Sequence, residues 1–390
     1  MAKPNLHFAS LSTTAKSTLK QLKLSEAATF LRGLSLSKDD VREVADVSNG
    51  VPCVLYGHLY TTYGEIAYSS KYVTDAEIDE KVTSKAGDVL MPTSDVTPRG
   101  LATATCVMFD NAIVGGDINI LRPQPGIDGR YLSLAINSQK QKLYPLIVGS
   151  TVRHLHASDL KGLSYFFPSI EEQQKIAEFF TALDEKIRCL DDLAKGFSQS
   201  MQGVLNKVFT QQISFKDENG NNYSEWTIKK IKDVAPLQRG FDLPTSQLQD
   251  GECTVIYSNG QTAKHSAFKC DGCAVVTGRS GTIGKVFYLD NCKYWPHNTT
   301  LWVTDFCGNN PKFIYYLFKF VGLERFSTGT GVPTLNRNDV HDYVVKIPSI
   351  DEQTKIVEFL DCYNKKLNLL ISKKHAFHEL KKAFMQRMFV

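Results

Sequence analysis

Long hydrophobic runs are missing from this sequence. No stretch approaches the roughly 18 consecutive apolar residues of a membrane-spanning helix. The first ten residues lack the apolar core of a signal peptide, so we expect a cytoplasmic protein. Charge imbalance is small as well, since 45 lysine and arginine residues face 41 aspartate and glutamate residues. A net charge of +4 permits a polyanionic partner but does not require one.

Paired cysteines and metal-ligand spacings are also scarce. The nine cysteines are an odd number scattered along 390 residues, which argues against a secreted disulfide framework and for reduced thiols. Cys270 and Cys273 could begin a zinc site with Cys253, Cys292 or Cys307. Because no second close pair or histidine cluster accompanies them, we favour buried thiols and expect no metal site.

Motifs of the common catalytic classes are absent too. Gly278 to Lys285 superficially resembles a phosphate-binding loop, but Arg279 stands where the first glycine is required and Val286 follows the lysine. No Asn/Asp-Pro-Pro-Tyr motif of adenine methyltransferases appears, and no Gly-x-Gly-x-x-Gly follows a strand. Asp184-Glu-Lys186 matches part of a nuclease motif, but it lies in a helical repeat where such triplets arise by chance.

The sequence does contain an internal duplication. Residues 168–179 return as residues 348–359, with nine of twelve positions identical at an offset of 180. A second match lies upstream, where Arg32-Gly33 corresponds to Arg239-Gly240 at an offset of 207. Repeats of this length are duplicated domains rather than a solenoid. The chain is therefore two copies of one unit, each a divergent globular block followed by a similar tail.

Each tail carries a heptad pattern that predicts a long helix. Apolar residues recur at alternating steps of four and three, the spacing at which one helix buries a seam against another. Ser169 and Ser349 are predicted caps, with Glu172 and Glu352 completing a capping box. Two seam positions of the second tail are lysines, 374 and 381. The residues predicted to pack between helices and against partners are Ile176, Phe180, Leu183, Ile187, Leu190 and Phe197 in the first tail, and Ile356, Leu360, Leu367, Leu370, Phe377 and Phe384 in the second.

The two blocks read as short strands and turns with a few helices. Asn310-Pro311 is expected to open a helix in the second block, with residues 131–140 as its counterpart in the first. The polar stretch 210–224 marks a boundary. We predict an α/β (α+β) fold in which two globular domains are separated by a pair of long antiparallel helices with pseudo-twofold duplication. The predicted segments are residues 1–167, 168–212, 213–347 and 348–390.

The twice-repeated Pro-x-x-x-Glu-Gln-x-x-Ile helix, alternating with variable blocks, resembles the specificity (S) subunit of type I restriction-modification enzymes. Trp226 and Ile231 to Ala235 match the usual opening of a block in that family, whereas the first block lacks the tryptophan. The resemblance implies that each block is a target recognition domain for one half of a split DNA site. It also implies that the helices set the gap between the half-sites and dock methyltransferase subunits, two of them by expectation.

In that family the methylation chemistry belongs to the partners. The resemblance implies that this chain is not an enzyme and binds no cofactor, and that S-adenosylmethionine is bound by the methyltransferase subunit. Motor-nuclease subunits are a further expected partner, and double-stranded DNA is the ligand. A methylation-only system without a nuclease is left open. The rival from another class is a coiled-coil scaffold for proteins, without DNA recognition.

Sequence recognition needs side chains at base edges, whereas phosphate contacts only position a protein. The glycine-rich segment 277–285 is the best candidate in the second block, because a tight hairpin can approach DNA closely. Arg279 could bind guanine and Lys285 a phosphate. The predicted DNA-binding residues are Arg32, Tyr56, His58, Thr93, Ser94 and Arg99 in the first block, and Arg239, Tyr257, Asn259, Arg279, Ser280, Thr282, Lys285, Asn298 and Thr330 in the second; Asn119, Ser258, His297 and Thr299 are further candidates.

Overall fold

The computed structural model describes residues 19–46, 49–75, 83–329 and 331–389. The chain divides into two compact units, one made of Met1–Leu190 with Lys373–Val390 and the other of Asp191–Ser372. We call residues 19–167 the first block and residues 213–347 the second block. Each unit contains one block together with one stretch of each of two long helices.

Short strands and short helices make up the described part of the first block. The strands are β1 Lys20–Lys23, β2 Ala28–Arg32, β3 Val41–Glu43, β4 Val51–Val54, β5 Ile66–Ala67, β6 Tyr72–Thr74, β7 Asp88–Pro92, β8 Ser94–Asp95, β9 Thr105–Val107, β10 Ile113–Val114, β11 Ile118–Pro123, β12 Arg153–His154 and β13 Ser164–Phe167. The α-helices are α1 Leu24–Ala27, α2 His58–Thr61, α3 Pro98–Leu101, α4 Gly129–Ser138 and α5 Ala157–Lys161.

Two main sheets organise the first block. One has five strands in the order β2-β11-β7-β9-β5, and the other has four in the order β10-β4-β6-β3. Two-stranded pairs, β1 with β13 and β12 with β8, complete the described sheets of this block. Helix α4 begins at Asp128, whose carboxylate accepts the backbone N–H of Arg130 at 2.8 Å and so caps the helix. Its apolar face, which includes Leu132 and Ile136, is buried in the core against the five-stranded sheet.

The first tail is one continuous helix, α6, spanning Ile170–Phe209. The second block follows it. Its strands are β14 Thr227–Lys230, β15 Leu237–Arg239, β16 Cys253–Tyr257, β17 Gly260–His265, β18 Cys270–Gly278, β19 Val286–Pro296, β20 Thr300–Val303, β21 Ser327–Thr328, β22 Thr334–Leu335 and β23 Val344–Ile347, and its helices are α7 Pro311–Val321 and α8 Arg337–His341.

A single six-stranded sheet dominates the second block, in the order β15-β20-β18-β19-β16-β17. Its longest members, β18 and β19, form the hairpin that the glycine-rich segment predicted. Helix α7 starts at Asn310, which accepts the N–H of Lys312 at 2.9 Å, and ends at Gly322, which adopts a φ of 66°. Residues with a side chain rarely adopt that conformation, so glycine ends the helix with little backbone strain. Helices α4 and α7 thus lie at the two predicted places.

The second tail is helix α9, Ile350–Met388, and in each unit it runs antiparallel to α6. In the first unit the ring centroids of Phe179 and Phe384 lie 5.0 Å apart, and Asp184 pairs with Lys381. In the second unit the Phe197 ring lies 6.4 Å from Tyr363, and the segments around Leu205 and Leu360 share one core. Rising numbers on one helix meet falling numbers on the other, which confirms the predicted antiparallel arrangement within each unit.

The predicted seam residues line these contacts to different depths. Phe377 and Phe384 pack against the core of the first unit, and Tyr363 against that of the second. The buried members are Ile176, Phe180, Leu183, Ile187, Leu190, Ile356 and Leu360, and the half-buried ones are Phe197, Leu367, Leu370, Phe377 and Phe384.

Lys381, one of the two seam lysines, has two carboxylate partners within the first unit. Its Nζ lies 2.8 Å from Glu65 and 2.6 Å from Asp184. Burial alone would lower the pKa of Lys381, but the two carboxylates outweigh it and raise that pKa. Burial likewise raises the pKa of Asp184, whereas at Glu65 the lysine charge overcomes burial and lowers the pKa. A polar seam position is therefore satisfied by a three-residue ion cluster.

The shared Glu-Gln of the tails has a structural explanation. Gln173 accepts the backbone N–H of Asp128 at 3.0 Å and donates to the carbonyl of Pro168 at 2.9 Å. Gln353 makes the same pair of bonds, to Asn310 at 2.9 Å and Pro348 at 3.0 Å. Each buried glutamine thereby ties the start of a long helix to the start of α4 or α7.

The predicted capping box forms through its serine half. The Ser169 and Ser349 hydroxyls accept the N–H of the glutamate three residues on, at 3.3 and 3.4 Å. The Glu352 carboxylate also accepts the indole N–H of Trp226 at 3.0 Å. This bond accounts for the tryptophan at the opening of the second block.

Candidate nucleic-acid interface

Both blocks repeat one main-chain framework around the Arg-Gly pairs at the ends of β2 and β15. The N–H of Gly33 donates to the carbonyl of Ile118 at 3.0 Å, and that of Gly240 to Thr300 at 3.1 Å. A Cβ on Gly33 would lie 2.0 Å from the carbonyl oxygen of Gly115, and one on Gly240 would lie 2.2 Å from that of His297. Glycine is required at both positions because the backbones touch.

Two further hydrogen bonds match in number and direction. Thr93 N–H donates to Asp117 at 2.8 Å and Arg279 N–H donates to Thr299 at 2.8 Å. The carbonyls of the same two residues then accept N–H groups, of Leu155 at 3.0 Å and of Leu335 at 2.8 Å.

Parallel pairing fixes the remaining side of the framework. Strand β4 pairs in parallel with β10, and strand β16 pairs in parallel with β19. The N–H of Gly115 donates to the carbonyl of Val54 at the end of β4, and the N–H of His297 donates to the carbonyl of Ile256 within β16. The pairs of equivalent residues are therefore 32 with 239, 54 with 256, 93 with 279, 115–117 with 297–299, and 155 with 335. We call these the framework positions.

Polar side chains of the second block cluster at its framework positions. The Arg239 guanidinium bonds the Asp242 carboxylate at 2.9 Å, and the Asn298 amide donates to that same carboxylate. The imidazole of His297 lies 3.0 Å from the Thr299 hydroxyl and 4.4 Å, centroid to centroid, from the Tyr257 ring. The structure thus brings together most of the residues predicted here.

The hairpin between β18 and β19 covers this cluster. The backbone N–H groups of Arg279 and Ser280 both donate to the carbonyl of Thr299, at 2.8 and 3.2 Å. A Cβ on Gly278 would lie 1.8 Å from the carbonyl oxygen of Thr282, so only glycine allows the turn to close. Lys285 is exposed at the far side of the turn, and Asn259 is exposed in the turn between β16 and β17.

Arg32, Thr93 and Ser94 line one cavity of about 410 Å³ in the first block. Asp117 lines that cavity and also a neighbouring one of about 560 Å³ that includes Tyr56 and His58. The first-block framework positions therefore surround a concave surface. Other polar residues lining the two cavities are Lys38, Glu43, Asn119, His154, His156 and Lys161.

His58 is held inside the first block. Its Nδ1 accepts the N–H of Leu55 at 3.1 Å, and its ring stacks on Tyr72 with centroids 3.6 Å apart. Burial, with a smaller contribution from the charge of Lys38, lowers the pKa of His58 to about 4. The imidazole is neutral at physiological pH and brings no charge to a phosphate.

Several predicted residues lie elsewhere. Arg99 lines a separate cavity of about 280 Å³ with Glu65 and Lys140, so the structure does not group it with Arg32 and Thr93. Asn119 lies at the wall of the Arg32 cavity but is only 4% exposed, and its amide donates to the carbonyl of Leu155 at 3.5 Å, so little of its side chain is open to a ligand. Thr330 lies outside the described residues.

Two acidic residues at this surface were missed from the sequence. Asp117 is exposed beside the Arg32 cavity, and Asp242 is exposed beside Arg239. A search for cations on a DNA-binding face passes over them. The signal that could have found Asp117 is its place in Gly115-Gly-Asp117, a turn that directly follows the apolar strand β10.

The described residues contain no group of three histidine, cysteine, aspartate or glutamate side chains that could hold a metal ion. Burial raises the pKa of the Cys270 thiol to about 11, so it stays protonated. No helix in the described part of the chain is both long and apolar enough to cross a membrane.

Comparison with known proteins shows which proteins this chain resembles. The chain is 22% identical over 357 residues to S.MpnORF507P of Mycoplasma pneumoniae, a candidate type I specificity subunit, with 88% of each protein covered. It is 23% identical over 193 residues to the MjaVIII specificity subunit of Methanocaldococcus jannaschii, which covers 47% of this chain and 43% of that protein.

Solved structures share the fold. The S subunit of a type I restriction-modification system from M. genitalium matches with a TM-score of 0.62 at 15% identity, over 100% of this chain and 99% of that one. The type I specificity-domain family model, "Type I restriction modification DNA specificity domain", matches residues 16–193 and again 223–376. The chain therefore belongs to the type I restriction-modification DNA specificity family, with two copies of the specificity domain, and serves DNA recognition.

Proposed function

We propose that this chain is the recognition subunit of a type I restriction-modification complex in which each block recognises one half of a split DNA site. The observation that carries the proposal is the pair of matched frameworks. Four backbone hydrogen bonds recur at equivalent positions, while several of the side chains they present differ between the blocks. One scaffold with two sets of side chains suits two different half-sites.

The chemistry of the framework positions fits double-stranded DNA. Arginine, asparagine, threonine and histidine side chains are the groups that bind base edges and phosphates. The net charge of +4 is small for a protein that binds DNA alone, because affinity rests largely on phosphate neutralisation. We infer that partner subunits supply part of the positive surface.

The partners in this proposal are methyltransferase subunits, two per chain, with motor-nuclease subunits as a further component. S-adenosylmethionine is bound by the methyltransferase, which flips an adenine out of the duplex, and this chain carries no catalysis of its own. The complex acts on chromosomal DNA in the cytoplasm. Helices α6 and α9 set the gap between the half-sites and dock the partners.

A methylation map tests the proposal. The chain is expressed with the methyltransferase subunit encoded beside it, in a host that lacks such systems, and modified adenines are located across the genome. We expect a split motif with a fixed gap that disappears when this chain is omitted. Methylation that persists without the chain would contradict the recognition role and leave the scaffold as the better description.

A block exchange separates the two half-sites. Replacing residues 213–347 by the corresponding block of another specificity subunit should change one half of the motif and leave the other half and the gap unchanged. If both halves changed, the blocks would not be independent readers.

An insertion tests the helices. Four residues added after Ala194 should lengthen the gap or abolish methylation through loss of heptad register, because four residues are about one helical turn. An unchanged gap at normal activity would remove α6 from this role.

A further inference from the structure

Some framework positions carry the same residue in both blocks and others do not. Arginine stands at both 32 and 239, and each is held by a neighbour: Arg32 Nε donates to the carbonyl of Gly116 at 3.2 Å, and Arg239 pairs with Asp242. The residues at 93 and 279 differ, threonine against arginine. Those at 117 and 299 also differ, aspartate against threonine. The two halves of a split DNA site have the same sugar–phosphate backbone and differ in their bases.

Arg279 has the geometry of a base-binding residue. Its N–H and its carbonyl are both fixed, by Thr299 and Leu335 at 2.8 Å each, so its Cα has a defined position. No described residue accepts a hydrogen bond from its guanidinium. Its backbone is fixed and the N–H groups of its guanidinium are unpaired among the described residues. An arginine in this state can donate two hydrogen bonds to O6 and N7 of a guanine in the major groove.

Asp117 has the opposite chemistry at the matching surface of the first block. Its carbonyl is fixed by the N–H of Thr93 at 2.8 Å, while its exposed carboxylate takes no hydrogen bond from a described residue. The acid of the second block, Asp242, is paired with the Arg239 guanidinium and accepts a hydrogen bond from the Asn298 amide. A free carboxylate repels phosphate and can only accept, so its partner is a base amino group, as in the pairing of aspartate with cytosine N4.

We propose that base recognition belongs to framework positions that differ between the blocks and carry a polar side chain left unpaired by the described residues, so that Arg279 binds a guanine in one half-site and Asp117 binds a cytosine amino group in the other. The shared arginines, Arg32 and Arg239, bind phosphate. This inference rests on the proposed function and adds the base each block prefers. It also states which side chain makes the choice.

The first test uses the wild-type complex and its own methylation motif. If no split motif is found, the proposed function fails. If a split motif is found but the half-site lost on exchange of the second block contains no guanine, the assignment of Arg279 is wrong while the proposed function stands. The same comparison applies to Asp117 and a cytosine in the other half-site.

Modified DNA then tests the contact without changing the protein. Replacing each guanine of the second half-site in turn by 7-deazaguanine removes the N7 acceptor. At one position we expect the wild-type complex to bind more weakly, by about five- to 150-fold. R279A should bind the modified and unmodified duplexes equally. Loss of the same size in R279A, or no loss at any position in the wild type, would overturn the contact.

Protein variants give the matching readout in the methylation map. R279Q should favour adenine at one position of one half-site, because a glutamine amide pairs with adenine N6 and N7, and D117N should do so in the other half-site. R239A is the control: it should lower methylation at all sites alike, with the motif unchanged, and flatten the salt dependence of binding by about one unit of slope. A changed motif in R239A together with an unchanged one in R279Q would reverse the assignment.

Discussion

The two blocks place their backbones alike and their side chains differently. The first block divides its strands between a five-stranded and a four-stranded sheet, whereas the second runs six strands in one sheet with a long hairpin. Even so, the hydrogen bonds that hold positions 33, 93, 115 and 155 recur at 240, 279, 297 and 335. Duplication has preserved the part of each block where backbones touch and left the surrounding sheet free to change.

The two units also differ where α6 and α9 meet. At the offset of 180, Asp184 and Lys381 of the first unit correspond to Asn364 and Met201 of the second. The first unit fills its crossing with charges that bond one another, and the second has a buried methionine and an amide that donates to Tyr316. The contact between α6 and α9 is thus charged in one unit and neutral in the other. Changing the residues of one contact to resemble the other therefore tests what the charges contribute to stability.

Removing one charge of the first crossing has the largest expected effect. K381M leaves Glu65 and Asp184 without their cation in a half-buried place, and we expect a loss of about 3 kcal/mol in the free energy of unfolding, the low end for a buried ion pair because Asp184 is 39% exposed. Thermal unfolding and amide hydrogen exchange of residues 373–389 measure it.

The control makes the first crossing resemble the second. The triple variant K381M/D184N/E65Q removes all three charges together, and it should recover most of the stability lost by K381M, because a fully neutral cluster leaves no uncompensated charge. A triple variant as unstable as the single one would show that the lysine contributes by packing rather than by charge.

The buried glutamines should behave alike in the two units. Q173L leaves the N–H of Asp128 and the carbonyl of Pro168 unpaired, and Q353L does the same to Asn310 and Pro348. Each variant should lose about 2–3 kcal/mol, the cost of unpaired buried backbone groups. Chemical denaturation measures both. A loss confined to one variant would mean that the two helix starts are not equivalent in energy, although their hydrogen bonds match.

G196A is a contrasting control within helix α6. A Cβ at position 196 meets nothing within 4 Å, so the alanine should add up to about 1 kcal/mol to the free energy of unfolding.

Duplication and heptads were visible in the sequence because they are local patterns. The antiparallel stretches and the helices at 129–138 and 311–321 follow from apolar spacing and from the Asp128 and Asn310 caps. The partners of Lys381 were not predictable, because Glu65 lies 316 residues away along the chain. The sequence did suggest Arg32, Arg239 and Arg279, which stand beside glycines. It missed Asp117, whose place at this surface is fixed by a hydrogen bond that its backbone carbonyl accepts from Thr93.

The smallest expected effect depends on pH and is argued for His58 of the first block. Burial lowers the pKa of His58 to about 4, and burial also lowers the pKa of His297 and of His341 in the second block. The unfolded chain takes up a proton near pH 6.5 and the folded chain does so only near pH 4, so stability falls as the pH drops from 6.5 towards 4. At pH 5.5 we expect a loss of about 1 kcal/mol in the free energy of unfolding, allowing for partial exposure of His58 to solvent.

Hydrogen exchange of the segment around Leu55, corrected for its intrinsic pH dependence, measures how this stability changes with pH. H58N keeps an acceptor for the N–H of Leu55 and should remove the slope even if it lowers overall stability. A slope that survives in H58N would assign the acid sensitivity to another group of the first block.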